Sequence, residues 1–160
     1  MAFQDLRAFI EHVESAGQLR RVTVEVDPYL EITEIADRVM KSGGPALVFE
    51  NVKGSDMPLA INLLGTQQRM AWALGVNEWA ELEHRIEGLL DLAMSPPPPS
   101  IWGKLQTLGE IIRVGRIGPK TLNSGPVQEV VETESPSLEG LPIPTCWPED
   151  GGPYITMPLV

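Results

Sequence analysis

Apolar residues recur at helical spacing at Phe3, Leu6, Ile10 and Val13, and Gly17 follows as a natural stop, which predicts an amphipathic helix near residues 4–16. From Leu19 to Val26 the period shortens to two. Val22, Val24 and Val26 alternate with Thr23 and Glu25, as in a strand whose sheet has one face nearer solvent. Asp27-Pro28 then suits a helix start, because Asp accepts orphan backbone N–H groups and Pro is tolerated where no donor is needed. Ile32, Ile35, Ala36, Val39 and Met40 form the apolar stripe of that helix, and Gly43-Gly44-Pro45 caps its end. Ala46-Leu47-Val48-Phe49 is a short continuous apolar run, the pattern of a buried strand. Strand, helix and strand make a βαβ unit, whose crossover is expected to be right-handed.

Leu59-Ala60-Ile61 reads as a further strand, after which Thr66 can cap a helix carrying Met70, Ala71 and Leu74 and closed by Gly75. Asn77 can cap the next helix. There Trp79, Leu82, Ile86, Leu89, Leu90 and Ala93 share one face, with Glu78 and Glu81 at the end that the helix dipole makes favourable for negative charge. Pro96 to Pro99 removes four backbone donors in a row and predicts an extended connector. Ser100 to Ile112 has helix-like apolar spacing interrupted by Gly103 and Gly109, and Gly115 to Pro126 is rich in turn formers. Val127 to Glu132 resumes as a strand. Prolines punctuate residues 133–153, which predicts an extended surface connection, and Tyr154 to Val160 closes the sequence on an apolar run resembling a strand cut short. The pattern divides the chain into an N-terminal α/β (α+β) domain over 1–95, a proline-rich linker and helix over 96–125, and the start of a second domain over 126–160.

At 160 residues, 42% apolar and 21% charged, the chain is long enough for one ordinary globular domain or one domain and part of another. It carries 22 acidic against 12 basic residues, a formal charge of −10, and no basic cluster longer than Arg20-Arg21. Nucleic acid and anionic lipid surfaces draw their affinity from concentrated positive charge, so neither is an expected partner. Cys146 is the sole cysteine, the N-terminus lacks the pattern of a signal peptide, and no apolar stretch approaches membrane-spanning length. A cytoplasmic setting is the default expectation.

The chemical inventory is thin. His12 and His84 have no partner at metal-motif spacing, and His84, on a Glu-rich helix, reads as a solvated polar residue. Cys146 lies between Thr145 and Trp147 with no neighbouring cation to activate it, and reads as a small hydrophobe. Glu149-Asp150-Gly151-Gly152 could form a cation loop, but adjacent carboxylates before a diglycine ordinarily make a turn. Gly115-Arg116-Ile117-Gly118-Pro119-Lys120 lacks the third glycine and the preceding strand of a dinucleotide fingerprint, and reads as a basic turn.

Several blocks together carry a resemblance. Asp5-Leu6-Arg7-Ala8-Phe9-Ile10, Val26-Asp27-Pro28 with Glu31-Ile32, and Ile35-Ala36-Asp37-Arg38-Val39 are followed by Gly43 to Leu47 and Phe49 to Gly54. Asn62-Leu63-Leu64-Gly65, Arg69-Met70-Ala71 and Gly125 to Val131 come next, then the most specific run, Leu141-Pro142-Ile143-Pro144-Thr145-Cys146-Trp147-Pro148-Glu149-Asp150-Gly151-Gly152-Pro153-Tyr154-Ile155-Thr156. In this order they resemble the N-terminal region of the UbiD family, the 3-octaprenyl-4-hydroxybenzoate carboxy-lyase-like decarboxylases that use prenylated FMN.

The resemblance implies reversible non-oxidative decarboxylation of an aromatic or α,β-unsaturated acid on prenylated FMN, with a divalent metal, typically manganese, bridging the cofactor phosphate. It implies an α/β N-terminal domain, then the first strands of a flavin-binding split β-barrel, then a region for homo-oligomerisation. A flavin prenyltransferase would supply the cofactor, and a 4-hydroxybenzoate derivative of ubiquinone biosynthesis is a family-level expectation for the substrate. The family's catalytic Arg and acidic residues, and its Asn, His and Glu metal ligands, are expected downstream of Val160. No residue of 1–160 is therefore assigned a catalytic, cofactor-binding or metal role, and the chain alone is expected to be inactive. One rival is a self-contained module that binds a partner protein through a strand edge near 154–160, and another is a cation-binding domain using Glu149 and Asp150.

Overall fold

The computed structural model describes residues 3–94, 100–101, 108–109, 112 and 121–156. The readings of Pro96–Pro99 as a connector, of most of 100–112 as an interrupted helix and of Gly115–Lys120 as a turn lie outside the described residues. The chain divides into two compact units, one formed by residues 1–79 together with 137–160 and the other by 80–136.

The first unit is built on a three-stranded sheet in the order β1-β2-β3, comprising Leu19–Val22, Ala46–Phe49 and Leu59–Ile61. β1 and β2 run parallel, Leu19 opposite Ala46 and Val22 opposite Phe49, and β3 is antiparallel to β2. Helix α1 spans Leu6–Ser15, α2 spans Glu31–Lys41, and α3 spans Gln67–Ala73. The α2 crossover between parallel neighbours is the βαβ unit expected from the sequence.

Both faces of the sheet are covered, so alternate residues of β2 enter different cores. Leu47 and Phe49 pack with Val26, Ile32, Val52 and Leu59 on the α2 side. Ala46 and Val48 pack with Phe9, Val13 and Leu19 on the α1 side, where Trp72 of α3 closes the cluster. The expectation of a sheet with one face nearer solvent is thereby corrected. β1 stops at Val22, Val24 is exposed, and Val26 reaches the core only through an isolated parallel bridge to Val52. β1 is an edge strand whose exposed Arg20 and Arg21 discourage pairing with another chain.

Local chemistry sets the helix ends. The Asp5 Oδ1 atom accepts the Ala8 N–H at 2.8 Å, and Gly17 supplies the positive φ, 71°, that ends the turn after α1. Leu6, expected in the apolar stripe, is exposed, and Phe9 takes its place. Gly43, at φ 67°, ends α2 as expected. Thr66 caps α3 by accepting the Arg69 N–H at 3.2 Å, and Gly75 follows at φ 73°. Replacing Thr66 by alanine is expected to cost about 1 kcal/mol, read as a lowered urea midpoint at unchanged slope.

In the second unit, α4 spans Trp79–Met94. Its apolar face is not a core face: no residue of α4 is buried, and Ile86, Leu89 and Leu90 are about half exposed. The strand expected at Val127–Glu132 is absent as well. Pro126–Gln128 forms a 3-10 turn instead, and Val127, Val130 and Val131 stand exposed. A short valine-rich run makes a strand only beside a neighbour that completes the ladder, and no described residue pairs with it. Tyr154–Thr156, expected to begin a strand, likewise form none, and Met157–Val160 lie outside the described residues. No helix among the described residues is long and apolar enough to cross a membrane.

Candidate functional site

The most specific motif of the sequence returns to the N-terminal sheet. The Thr145 N–H donates to the Pro28 carbonyl at 3.0 Å, and the Leu30 N–H donates to the Thr145 carbonyl at 3.1 Å, forming a parallel bridge between Tyr29 and Thr145. The Thr33 hydroxyl lies 3.0 Å from the Leu30 carbonyl, 3.3 Å from that of Cys146 and 3.5 Å from that of Thr145. Its one proton can be directed at any one of these carbonyls, of which that of Leu30 is nearest. Farther up the chain, the Ser55 hydroxyl donates to the Gly140 carbonyl at 2.7 Å.

Asp150 fixes the shape of the segment from within. Its Oδ2 atom accepts the N–H of Cys146 at 3.2 Å and of Trp147 at 2.9 Å, while the Asp150 N–H donates to the Trp147 carbonyl at 3.1 Å. The carboxylate is spent on backbone donors, so Glu149-Asp150-Gly151-Gly152 is the turn expected from its composition. Burial, followed by the Asp150 charge, pushes the Cys146 thiol above its ordinary value, which disfavours the thiolate.

Asp27, read from sequence as the start of α2, has a different task. The helix begins at Glu31, three residues beyond Pro28, with Leu30 at the cap position and no side-chain cap. Asp27 Oδ1 accepts the Tyr29 N–H at 2.9 Å, Asp27 Oδ2 accepts from Lys53 Nζ at 2.7 Å, and the Asp27 N–H donates to Glu31 at 2.7 Å. The Lys53 ammonium and, after it, the Tyr29 N–H hold the Asp27 carboxyl below the usual carboxylate range. A depressed folded-state pKa favours the fold above the unfolded value, and that contribution fades as pH falls through the folded one. Asp27→Asn is therefore expected to flatten the loss of stability below about pH 4, as urea midpoints against pH would show.

Leu30 has φ 66° and ψ −33°, and the Glu31 N–H donates across it to the Tyr29 carbonyl at 2.8 Å. This is a γ-turn with the positive φ that a branched side chain resists, at a cost of about 1–3 kcal/mol. Between this turn, α2, the end of β3 and Cys146-Trp147-Pro148 lies a cleft of about 600 Å³. Its floor is apolar, from Ala36, Met40 and Ile61, and Trp147 stands exposed at its rim. Its charged groups are engaged: Glu34 pairs with Arg38, and Asp37 pairs with Lys41.

A second assembly gathers around Gly44, before β2, and Asn62-Leu63, after β3. Arg69 is 1% exposed. Its guanidinium donates to the carbonyls of Leu63 and Asn62 at 3.1 Å each, and at 3.4 Å to the Gly44 carbonyl and the Gln18 side chain. Every one of these acceptors is neutral, and burial lowers the Arg69 pKa. Asn62, itself at φ 58°, donates from Nδ2 to the Pro45 carbonyl at 2.9 Å. Arg69 belongs to the Arg69-Met70-Ala71 block, whose sequence alone assigns it no role.

The histidines stay apart. His12 packs against the rings of Phe3 and Trp72, with its Nε2 atom buried and unbonded, while His84 is exposed beside Glu87. No group of three or more His, Cys, Asp or Glu side chains among the described residues could hold a metal ion. In the cleft Glu34 and Asp37 are held in ion pairs, and Asp150 Oδ2 accepts two backbone N–H groups.

Two family models match the chain. The 3-octaprenyl-4-hydroxybenzoate carboxy-lyase N-terminal domain matches residues 10–89, and the Rift-related domain of the same enzyme matches residues 120–160. Among solved structures, an evolved dimeric form of the UbiD-class enzyme HmfF from Pelotomaculum thermopropionicum, in complex with prenylated FMN, is 29% identical, with a TM-score of 0.64 over 94% of this chain and 30% of its own. The closed form of vanillic acid decarboxylase from Sedimentibacter hydroxybenzoicus is 26% identical, with a TM-score of 0.69 over 97% of this chain and 30% of its own. The chain spans about 30% of the length of these two structures. With half of its residues matched by the N-terminal domain alone and the second domain following in order, the chain belongs to the UbiD family of carboxy-lyases.

Proposed function

We propose that residues 1–160 supply the N-terminal α/β domain and the opening of the cofactor-binding split barrel of a UbiD-class decarboxylase. The reading rests on one observation above the others: both family domains occur in order, 10–89 and then 120–160, in a chain that covers 30% of its solved relatives. The parent enzyme would remove or add CO2 reversibly on an aromatic or α,β-unsaturated acid. Prenylated FMN, when bound there, supplies the electron sink, and the protein supplies position and electrostatics.

Within that reading, this chain's residues do structural work. The Tyr29–Thr145 bridge and the Thr33 hydroxyl orient the segment that leads into the second domain, and the Asp150 carboxylate sets its turn. We place the manganese and cofactor ligands of the parent enzyme in the part of its relatives' length that this chain does not span. A cytoplasmic homo-oligomer served by a flavin prenyltransferase completes the proposal, with a quinone-pathway hydroxybenzoate as one substrate class. The rival partner-binding module would use a strand edge near 154–160, where Tyr154–Thr156 form no strand and Met157–Val160 lie outside the described residues.

The test is to co-produce a flavin prenyltransferase with residues 1–160 and, separately, with the same chain extended by its downstream coding sequence. The extended protein is expected to carry the flavin absorbance and to release CO2 from an aromatic or unsaturated acid, and residues 1–160 to do neither. Cofactor capture and turnover by residues 1–160 alone would refute the assignment.

A further inference from the structure

We propose that residues 144–150 act as a strap that holds the first turn of α2 in its strained γ-turn, so that strap release and relaxation of Leu30 are one conformational step that opens the adjoining cleft. Three independent observations meet here. The Leu30 conformation, φ 66° with a hydrogen bond from Glu31 N–H to Tyr29 O, is one a branched residue adopts only when its surroundings over-determine it. Those surroundings are the strap, which supplies the acceptor for the Leu30 N–H and, through Cys146 and Thr145, two of the three carbonyls around the Thr33 hydroxyl. α2 has no side-chain cap to hold its start in place once the strap leaves.

The cleft is what makes the step possible. The strap meets the start of the helix directly at Leu30 and Thr33, but beside those contacts a cleft of about 600 Å³ lies open, and Trp147 at its rim is 68% exposed. Backbone hydrogen bonds and one shared hydroxyl therefore carry most of the docking. Elements held by few buried contacts open at low free energy, as a unit with whatever they restrain. Neither family membership nor catalysis enters this inference, so it can fail while the decarboxylase reading stands.

Hydrogen–deuterium exchange of the 160-residue chain, resolved by mass spectrometry over peptides 28–36 and 141–155, tests it. In the unaltered chain the protected amides of Leu30 and Glu34 should exchange in step with those of Thr145 and Tyr154, with the same dependence on low urea. Thr33→Val, which removes the shared hydroxyl, should accelerate both segments by roughly tenfold or more, while β2 amides keep their protection. Leu30→Gly, which removes the objection to positive φ, should uncouple them at Glu34, whose acceptor is the carbonyl of residue 30 and which should stay protected while the amide of residue 30 exchanges with the strap. Unrelated rates in the unaltered chain, acceleration of one segment or neither by Thr33→Val, or continued joint exchange in Leu30→Gly would each overturn the proposal. If Thr33→Val also lowers β2 protection, the Leu30→Gly comparison decides.

Discussion

Arg69→Ala is expected to destabilise the chain by about 3–5 kcal/mol, measured by urea unfolding followed through far-ultraviolet circular dichroism. Two losses add. The substitution empties the volume of a long side chain that is 1% exposed, and it strips donors from the Asn62, Leu63 and Gly44 carbonyls. A buried ion pair can often be exchanged for a hydrophobe without penalty, because both charges leave together. Here the partners are peptide carbonyls, which no substitution at position 69 removes. Methionine, which refills volume without donors, should recover only part of the loss, and Lys should also rescue poorly, since one ammonium cannot replace a planar fork spanning three carbonyls and a side chain. Retention of full stability in Arg69→Met would show that the carbonyls find other donors.

The second large effect is expected at Gly65. A Cβ there would lie 1.7 Å from Asn62 Oδ1, 2.7 Å from Asn62 Cγ and 3.1 Å from Arg69 Nη2. Asn62 must then swing away and give up its bond to the Pro45 carbonyl, disturbing the loop that also presents a carbonyl to Arg69. We expect Gly65→Ala to cost about 2–4 kcal/mol, overpacking plus one buried hydrogen bond. Because Arg69→Ala breaks the same assembly, the double variant should lose clearly less than the two single losses combined, and strict additivity would separate the sites.

Periodicity read the first unit well wherever a local rule decides. Val13 on α1, the four buried residues of β2, Thr66 as a cap, and Gly17 and Gly43 as helix ends all follow from spacing or from positive φ. It failed where the outcome depends on remote partners. Val24 alternates properly yet is exposed because β1 ends at Val22, Val127 to Val131 pair with no described residue, and no residue of α4 is buried. The candidate site was least legible. Leu30 reads as an ordinary helix former, and its conformation is dictated by a residue more than a hundred positions away. Arg69 differs from a surface arginine only through acceptors contributed by three separate loops, at Gln18, Gly44 and Asn62-Leu63. A signal was present in the polar run around Arg69, where Asn62, Gly65 and Thr66 cluster at the end of an apolar strand.

The docking of Thr145 against α2 also bears on how the chain is made. Thr33 meets Thr145 across 112 residues of sequence, and the whole of 80–136 forms a separate unit between them. At ribosomal rates the nascent sheet and α2 would wait on the order of ten seconds for the segment that completes them. Throughout that interval the first turn of α2 has neither a side-chain cap nor the Thr145 carbonyl. A ribosome pause between codons 80 and 136 would lengthen this exposure, making the interval a natural window for chaperone engagement or proteolysis.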